Sequence, residues 1–289
     1  MNLRIFVVAV ILLALSLAGV AGPLQLVATT SILGDVVRQV AGGAHELSLL
    51  IPPDTDPHTF EPTPQDVALL SQADAVFICG AGLEEALEPI LSSARDVVEA
   101  SCGIELRVFE DGRVDPHVWL DPNNVAVWAD NVAAALAKLD PEHADDYRAR
   151  AAAYRLKLKE LDAWIQAEVE KVSEERRILV VDHLAFGYFA ERYGFKQLAI
   201  TPGFSTLAEP SARELAELEG IIRKLSVPAI FVSHTTSSPL VEQVARDTGV
   251  QVVYLYVGAL SKPDGPAPTY LDLMRYDVSA IVGALGEEG

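Results

Sequence analysis

The chain has 289 residues, half of them hydrophobic, which is enough for one large domain or two ordinary ones around buried cores. This composition excludes a disordered protein. A net charge of −19 argues against nucleic acid as a partner, because binding to phosphate backbones requires a surplus of Lys and Arg.

The first residues have the pattern of a secretory signal. The positively charged Arg4 precedes an apolar run over residues 5–17, and small residues follow it. We predict that residues 1–22 form a signal peptide cleaved near Ala21 or Gly22, or an N-terminal membrane anchor if the run stays uncut. The protein is therefore expected to be exported, to the periplasm or the cell surface.

Short apolar runs rich in β-forming residues alternate with helical patterns in two parts of the chain. The predicted strands cover residues 24–30, 47–51 and 75–79 in the first part, and 178–182, 198–200, 229–232 and 252–256 in the second. This alternation indicates parallel strands joined by crossover helices, so the α/β pattern occurs twice.

A long polar segment lies between the two sets of strands. It begins with Asp140 and Pro141, an N-cap residue followed by proline at the first helical position, and it extends to a charged run at 174–177. Its apolar spacing predicts one helix of about 35 residues, roughly 50 Å long. Such a helix is too long for a crossover within one sheet. We expect it to join two lobes around a cleft that closes only slightly, because a helix resists hinging.

These patterns predict an α/β fold with two parallel-sheet lobes, one rigid linking helix and a ligand-binding cleft between the lobes. The predicted segments are the signal or anchor at 1–22, the N-terminal lobe at 23–139, the linking helix at 140–176 and the C-terminal lobe at 177–289.

Four of the six histidines occupy similar positions in the predicted fold. Three of them follow predicted strands, namely His58, His183 and His234. The fourth, His117, precedes a predicted helix. Ligands of open parallel sheets bind beyond the carboxyl ends of the strands, so these side chains are expected to point into the cleft. Because imidazole nitrogen is a common zinc ligand, their convergence would indicate a metal site.

Three longer stretches carry a resemblance to a known family. They cover residues 54–66 around His58, 115–122 around His117 and 183–194 starting at His183. They resemble motifs of the ZnuA/TroA-like family, also called cluster A-I, which comprises zinc and manganese substrate-binding proteins of bacterial and archaeal ABC importers. Pieces at 209–210, 247–249 and 269–270 follow in the expected order, so the resemblance covers nearly all of the mature chain.

The resemblance implies metal held between two lobes by His58, His117 and His183. Manganese-type members tend to have a carboxylate at the third of these positions, so His183 favours Zn²⁺, with Mn²⁺ next. It also implies a monomeric extracytoplasmic receptor, not an enzyme, whose partners are the permease and ATPase of an ABC importer in the membrane.

One departure from the family concerns the fourth ligand. Members usually carry an acid in the loop after the last strand, whereas residues 256–260 contain no carboxylate. We hypothesise that His234 completes a four-histidine site, because structural zinc prefers four protein ligands. A bound water, Asp56 or Asp264 are the alternatives.

Two other functions stay open at this point. One is a zinc-dependent hydrolase in which three histidines and a bound water form the centre, although the sequence has no recognisable catalytic motif. The other is a surface adhesin stabilised by metal. Cys79 and Cys102 allow a disulfide in an exported chain, and two buried thiols are the equal alternative.

Overall fold

The structure, a computed structural model, describes residues 22–109, 112–201, 211–236 and 239–286. The predicted signal or anchor therefore lies outside the described residues except for Gly22, as do residues 209–210 of the family resemblance. No helix in these ranges has the length and apolar character needed to cross a bilayer.

The first lobe contains a four-stranded parallel sheet with the order β2-β1-β3-β4. Its strands are β1 (Gln25–Ala28), β2 (Glu46–Leu49), β3 (Ala75–Ile78) and β4 (Val97–Glu99). The three predicted strands are confirmed, and β4 was not predicted. It is a short edge strand with alternating exposed and half-buried residues, so it lacks the apolar run that marks the others.

The second lobe repeats this topology with the order β6-β5-β7-β8, again all parallel. Its strands are β5 (Ile178–Val181), β6 (Lys196–Ala199), β7 (Ala229–Ser233) and β8 (Gln251–Leu255). All four were predicted, and the two-lobed α/β fold is confirmed. In both sheets the central pair, β1 with β3 and β5 with β7, forms the switch point where ligands of such sheets bind.

The helices connect the strands and cover the sheets. Within the described residues they are α1 (Ser31–Ala41), α2 (Pro64–Gln72), α3 (Glu88–Leu91), α4 (Pro122–Leu139), α5 (Ala144–Val169), α6 (Gly187–Tyr193), α7 (Ala212–Leu225), α8 (Pro239–Thr248) and α9 (Tyr270–Leu285). Helix α9 follows the second lobe in the chain and packs on α5 and on α1 of the first lobe, so it connects the two lobes.

The linking helix is shorter than predicted. Helix α5 has 26 residues, preceded by a 3-10 turn over Pro141–His143. It ends at Val169, and the charged run beyond it forms a separate 3-10 turn over Glu174–Arg176. At this end the N–H groups of Lys171 and Val172 donate to the carbonyls of Glu168 and Val169, three residues back, which closes the last turn more tightly than an α-helix. Just beyond the helix, Nε of Arg177 donates to the carbonyl of Val172 at 3.0 Å. The residue limits of the lobes stay a prediction.

One apolar core extends through both lobes. It contains the inner faces of the two sheets together with α1, α4, α5 and α9, while a smaller cluster covers the outer face of each sheet. Close packing makes such a core resist deformation. The lobes are therefore held by packing as well as by the linking helix.

The two cysteines are free thiols in this structure. Cys79 is buried, and its Sγ lies 3.3 Å from Oγ1 of Thr30. Cys102 is exposed, so the thiol alternative holds for both, but only one of them is buried.

A buried carboxyl on α9 supports the loop that follows β8. Asp277 accepts a hydrogen bond from the backbone N–H of Tyr256 at 2.8 Å, and its second oxygen is buried with no hydrogen-bond partner among the described residues. Burial raises the pKa of Asp277 to about 8, although the Tyr256 hydrogen bond opposes this. The folded protein therefore holds a neutral carboxyl that would be ionised in the unfolded chain.

Substituting Asp277 with Asn is expected to remove a pH-dependent loss of stability. Between about pH 5 and 7 the folded state keeps the Asp277 proton and the unfolded chain, with a pKa of about 3.9, does not. The free energy of unfolding of the wild type should therefore fall relative to the Asn variant by about 1.4 kcal/mol per pH unit as pH rises. Urea unfolding of both proteins at pH 5, 6 and 7 measures this difference, and a constant difference would contradict the buried neutral carboxyl.

Candidate metal centre

Three of the four predicted histidines converge between the lobes. One nitrogen each of His58, His117 and His183 lies within 4.8 Å of the other two. The Nε2 atoms of His58 and His117 are 3.1 Å apart. The Nε2 of His183 is buried without a hydrogen-bond partner among the described residues. A buried nitrogen with no partner is costly, and a shared cation would satisfy all three lone pairs.

Each of these histidines is held by the loop in which it lies. His58 belongs to the connection between β2 and α2, and its backbone N–H donates to Oδ1 of Asp56 at 2.9 Å. His117 stands immediately before the 3-10 turn Val118–Leu120 that leads into α4. His183 comes two residues after the end of β5, at the central pair of the second sheet.

Two carboxylates orient two of the rings. Nδ1 of His117 donates to Oδ1 of Asp115 at 3.0 Å, and Nδ1 of His183 donates to Oδ1 of Asp182 at 2.8 Å. Because Nδ1 carries the proton in both rings, Nε2 presents its lone pair towards the cluster. Asp56 instead shapes the turn through a backbone contact.

The electrostatics of the cluster favour neutral imidazoles. Burial, together with the neighbouring rings of His117 and His183, lowers the pKa of His58 to about 2. Burial also lowers the pKa of His117, against the opposing effect of Asp115. Burial is the largest influence on Asp182 and would raise its pKa, but the imidazole of His183 and the backbone N–H groups of Ser233 and His183 together outweigh it, so the pKa is lowered. Neutral nitrogens backed by carboxylates form a donor set that suits zinc and related divalent ions.

The three rings differ in their exposure. His117 and His183 are 0% and 2% exposed, whereas His58 is half-buried. His58 also lines a surface cavity, whose other lining residues are Pro57, Leu83, Glu85 and Ala86. An ion would therefore meet His58 first and reach the buried pair from that side.

His234 does not join this group, and neither do the other two residues considered as a fourth ligand, Asp56 and Asp264. Nε2 of His234 instead lies 2.9 Å from Oδ1 of Asp54, and its ring packs on that of Tyr256 with centroids 4.0 Å apart. The hypothesis of a four-histidine site therefore has no support in this geometry, because the imidazole of His234 is held by a different acid.

The loop after β8, where the family resemblance led us to look for an acid, packs closely against the first lobe. A Cβ at Gly258 would lie 2.9 Å from Cδ of Pro57, beside His58, so this position has little room for a side chain. The loop is held by Nε1 of Trp119, which donates to the Val257 carbonyl at 2.9 Å. The Leu260 N–H also donates to Oγ of Ser31 at 2.9 Å. Sequence patterns did not single out Trp119 or Ser31, since single hydrogen bonds between distant segments leave no periodic signal.

Comparisons with known proteins show the family of this chain. The chain matches the family model for ZnuA, the periplasmic component A of a zinc-uptake complex, over residues 26–284. It is 34% identical over 268 residues to the manganese-binding lipoprotein MntA of Halalkalibacterium halodurans, covering 91% of this chain and 89% of that protein. It is 32% identical over 270 residues to the iron-binding protein YfeA of Yersinia pestis, covering 91% and 86%. The solved structure of the periplasmic zinc-binding protein TroA from Treponema pallidum gives a TM-score of 0.87 at 31% identity, covering 92% of this chain and 100% of that one.

The match spans both lobes and the linking helix. The relatives carry names that refer to manganese, iron and zinc, so the family handles divalent transition metals without a single common one. Its members are transport components, which leaves the hydrolase alternative without support. The chain belongs to the ZnuA family of periplasmic metal-uptake components.

Proposed function

We propose that this protein is the extracytoplasmic receptor of an ABC importer, which captures one divalent transition metal ion with His58, His117 and His183 and delivers it to the permease. The convergence of three imidazoles from both lobes on one point supports this proposal most directly. The predicted signal at 1–22 agrees with a periplasmic family. The permease and its ATPase would be the partners in the membrane.

The site fits carriage of a metal better than catalysis. Two of the three ligands are completely or almost completely buried, and the loop after β8 packs against the loop that carries His58. A hydrolase needs an open coordination position that substrate can reach. A receptor needs a shielded ion that is released when the contacts between the lobes at the site loosen, and an interlobe site meets this requirement.

Zinc is the proposed preferred cargo, with manganese next. The clustered donors are all nitrogens, which suit zinc, whereas manganese prefers oxygen ligands. His183 is the decisive position, because a carboxylate there would change the donor set to two nitrogens and an oxygen.

The test is a metal competition on the purified protein. Wild type incubated with equal concentrations of Zn²⁺ and Mn²⁺ and then dialysed should retain one zinc ion per chain by elemental analysis. His183→Glu should raise the ratio of bound manganese to zinc, because an oxygen donor replaces a nitrogen. His143→Gln, which changes an exposed histidine outside the cluster, should keep the wild-type ratio. An unchanged ratio in His183→Glu would contradict the assignment of this ligand, and a wild type without metal would contradict the receptor.

A further inference from the structure

Asp54 lies at a special position in the loop that carries His58. It precedes His58 in the connection between β2 and α2 and has a φ of 57°, in the left-handed region. Asp is one of the few residues besides glycine that tolerate this conformation. Its backbone N–H donates to the carbonyl of Leu260 at 3.0 Å, which ties the loop to the second lobe.

The carboxylate of Asp54 also reaches the second lobe. Its Oδ1 accepts from Nε2 of His234 at 2.9 Å, and its Oδ2 lies 3.7 Å from Nζ of Lys262. The ring of His234 packs on Tyr256, which limits the directions in which it can point. Lys262 is 71% exposed, so the contact with His234 is the better ordered of the two.

His234 is connected in turn to the carboxylate behind another ligand. The preceding residue, Ser233, donates its backbone N–H to Oδ2 of Asp182 at 3.1 Å. Oδ1 of the same Asp182 accepts from Nδ1 of His183. A continuous series of contacts thus runs from the His58 loop through His234 to His183, and it crosses between the lobes without passing through the metal position.

We infer that Asp54 and His234 form an interlobe latch, which holds His58 and His183 in binding geometry and slows release of the metal. His234 is then a positioning residue that acts through Asp54, and not a ligand. The inference rests on the proposed receptor function. Contacts that close a site act mainly on the dissociation rate, since they must break before the ligand leaves.

The test measures zinc release and capture separately. Zn²⁺-loaded protein is mixed with an excess of a chromogenic chelator in a stopped-flow instrument, and association is followed with a fluorescent zinc indicator. Asp54→Gly tolerates the positive φ and removes the acceptor of the latch contact, and His234→Phe removes its donor while keeping a ring on Tyr256. Each variant should release zinc about tenfold faster, with an association rate within about threefold of wild type.

The double variant of Asp54→Gly with His234→Phe should release zinc no faster than either single variant, because both remove the same contact. The visible spectrum of the Co²⁺-loaded protein should be unchanged in His234→Phe, since the ligands stay in place. His143→Phe is the matched control. Nδ1 of His143 also pairs with a carboxylate, Oδ2 of Asp140 at 2.7 Å, but at an exposed position, and its release rate should equal that of wild type.

The other outcomes separate the latch from the receptor. If His234→Phe changes the Co²⁺ spectrum and its effect adds to that of Asp54→Gly, His234 is a ligand and the latch is overturned. If all variants bind and release zinc as wild type does, the latch is again overturned while the receptor stands. If wild type binds no divalent metal, the receptor fails and the latch fails with it.

Discussion

Replacing His117 with Ala is expected to weaken zinc binding by on the order of 100-fold or more. His117 is fully buried, its Nε2 is 3.1 Å from that of His58, and Asp115 fixes its orientation. Apparent binding free energies of structural zinc sites are roughly 10–16 kcal/mol for four ligands, so one ligand is worth about 3 kcal/mol. A loss of this size corresponds to a change of about 100-fold in the dissociation constant.

The dissociation constant is measured by competition with a chelator of known affinity. His117→Gln should show the same loss while it fills more of the space left by the imidazole, which separates the loss of a ligand from a cavity in the core. His143→Ala should bind zinc as tightly as wild type, because His143 is exposed and outside the cluster. Wild-type affinity in both His117 variants would place the metal elsewhere.

Below pH 6.5 the histidines His58 and His117 are expected to destabilise the metal-free protein, against the opposite contribution of Asp277. The pKa of His58 is lowered to about 2 by burial and the neighbouring rings, and burial lowers that of His117 as well. In the unfolded chain both would have a pKa near 6.5. As pH falls below 6.5 the unfolded state takes up a proton on each of these histidines before the folded state does. Each proton lowers the free energy of unfolding by about 1.4 kcal/mol per pH unit until pH approaches the folded pKa.

Urea unfolding of the metal-free protein at pH 7, 6 and 5 measures this loss. The pH dependence of His58→Gln should be shallower than that of wild type by about 1.4 kcal/mol per unit, because one of the two groups is gone. The difference between the two proteins should be constant between pH 7 and 8, where His58 is neutral in either state and Asp277 affects both proteins equally. Parallel profiles for wild type and His58→Gln would show that His58 titrates normally in the folded protein.

Much of the fold was predictable because it depends on local patterns. Seven of the strands in the described residues overlap predicted apolar runs, and their alternation with helical segments is sufficient to predict parallel sheets. The limits were less clear: β6, with the sequence KQLA, begins two residues before the predicted run at 198–200. Strand β4 was not predicted, because its three residues lie at a sheet edge and contain no such apolar run. The linking helix was predicted too long, because helical spacing continues through Val172 although the helix ends at Val169.

The side of the fold on which the site lies was predictable, but not which histidines meet there. His58, His183 and His234 all follow strands, so topology brings them to the same side of the fold. That rule does not distinguish the two that meet His117 from the one that does not. In the structure Nε2 of His234 is hydrogen-bonded instead to Asp54, an acid from the other lobe.

By itself, the sequence determined the two α/β lobes, the linking helix, the family and three residues of the proposed centre, because each depends on spacing along the chain or on motifs of contiguous residues. Only the tertiary structure decided the position of His234, the state of Cys79 and Cys102, and the contacts of Ser31 and Trp119 with the loop after β8. These depend on distances of a few ångströms between segments far apart in the chain. Such distances are set by how the two lobes pack, and no local pattern of residues encodes them.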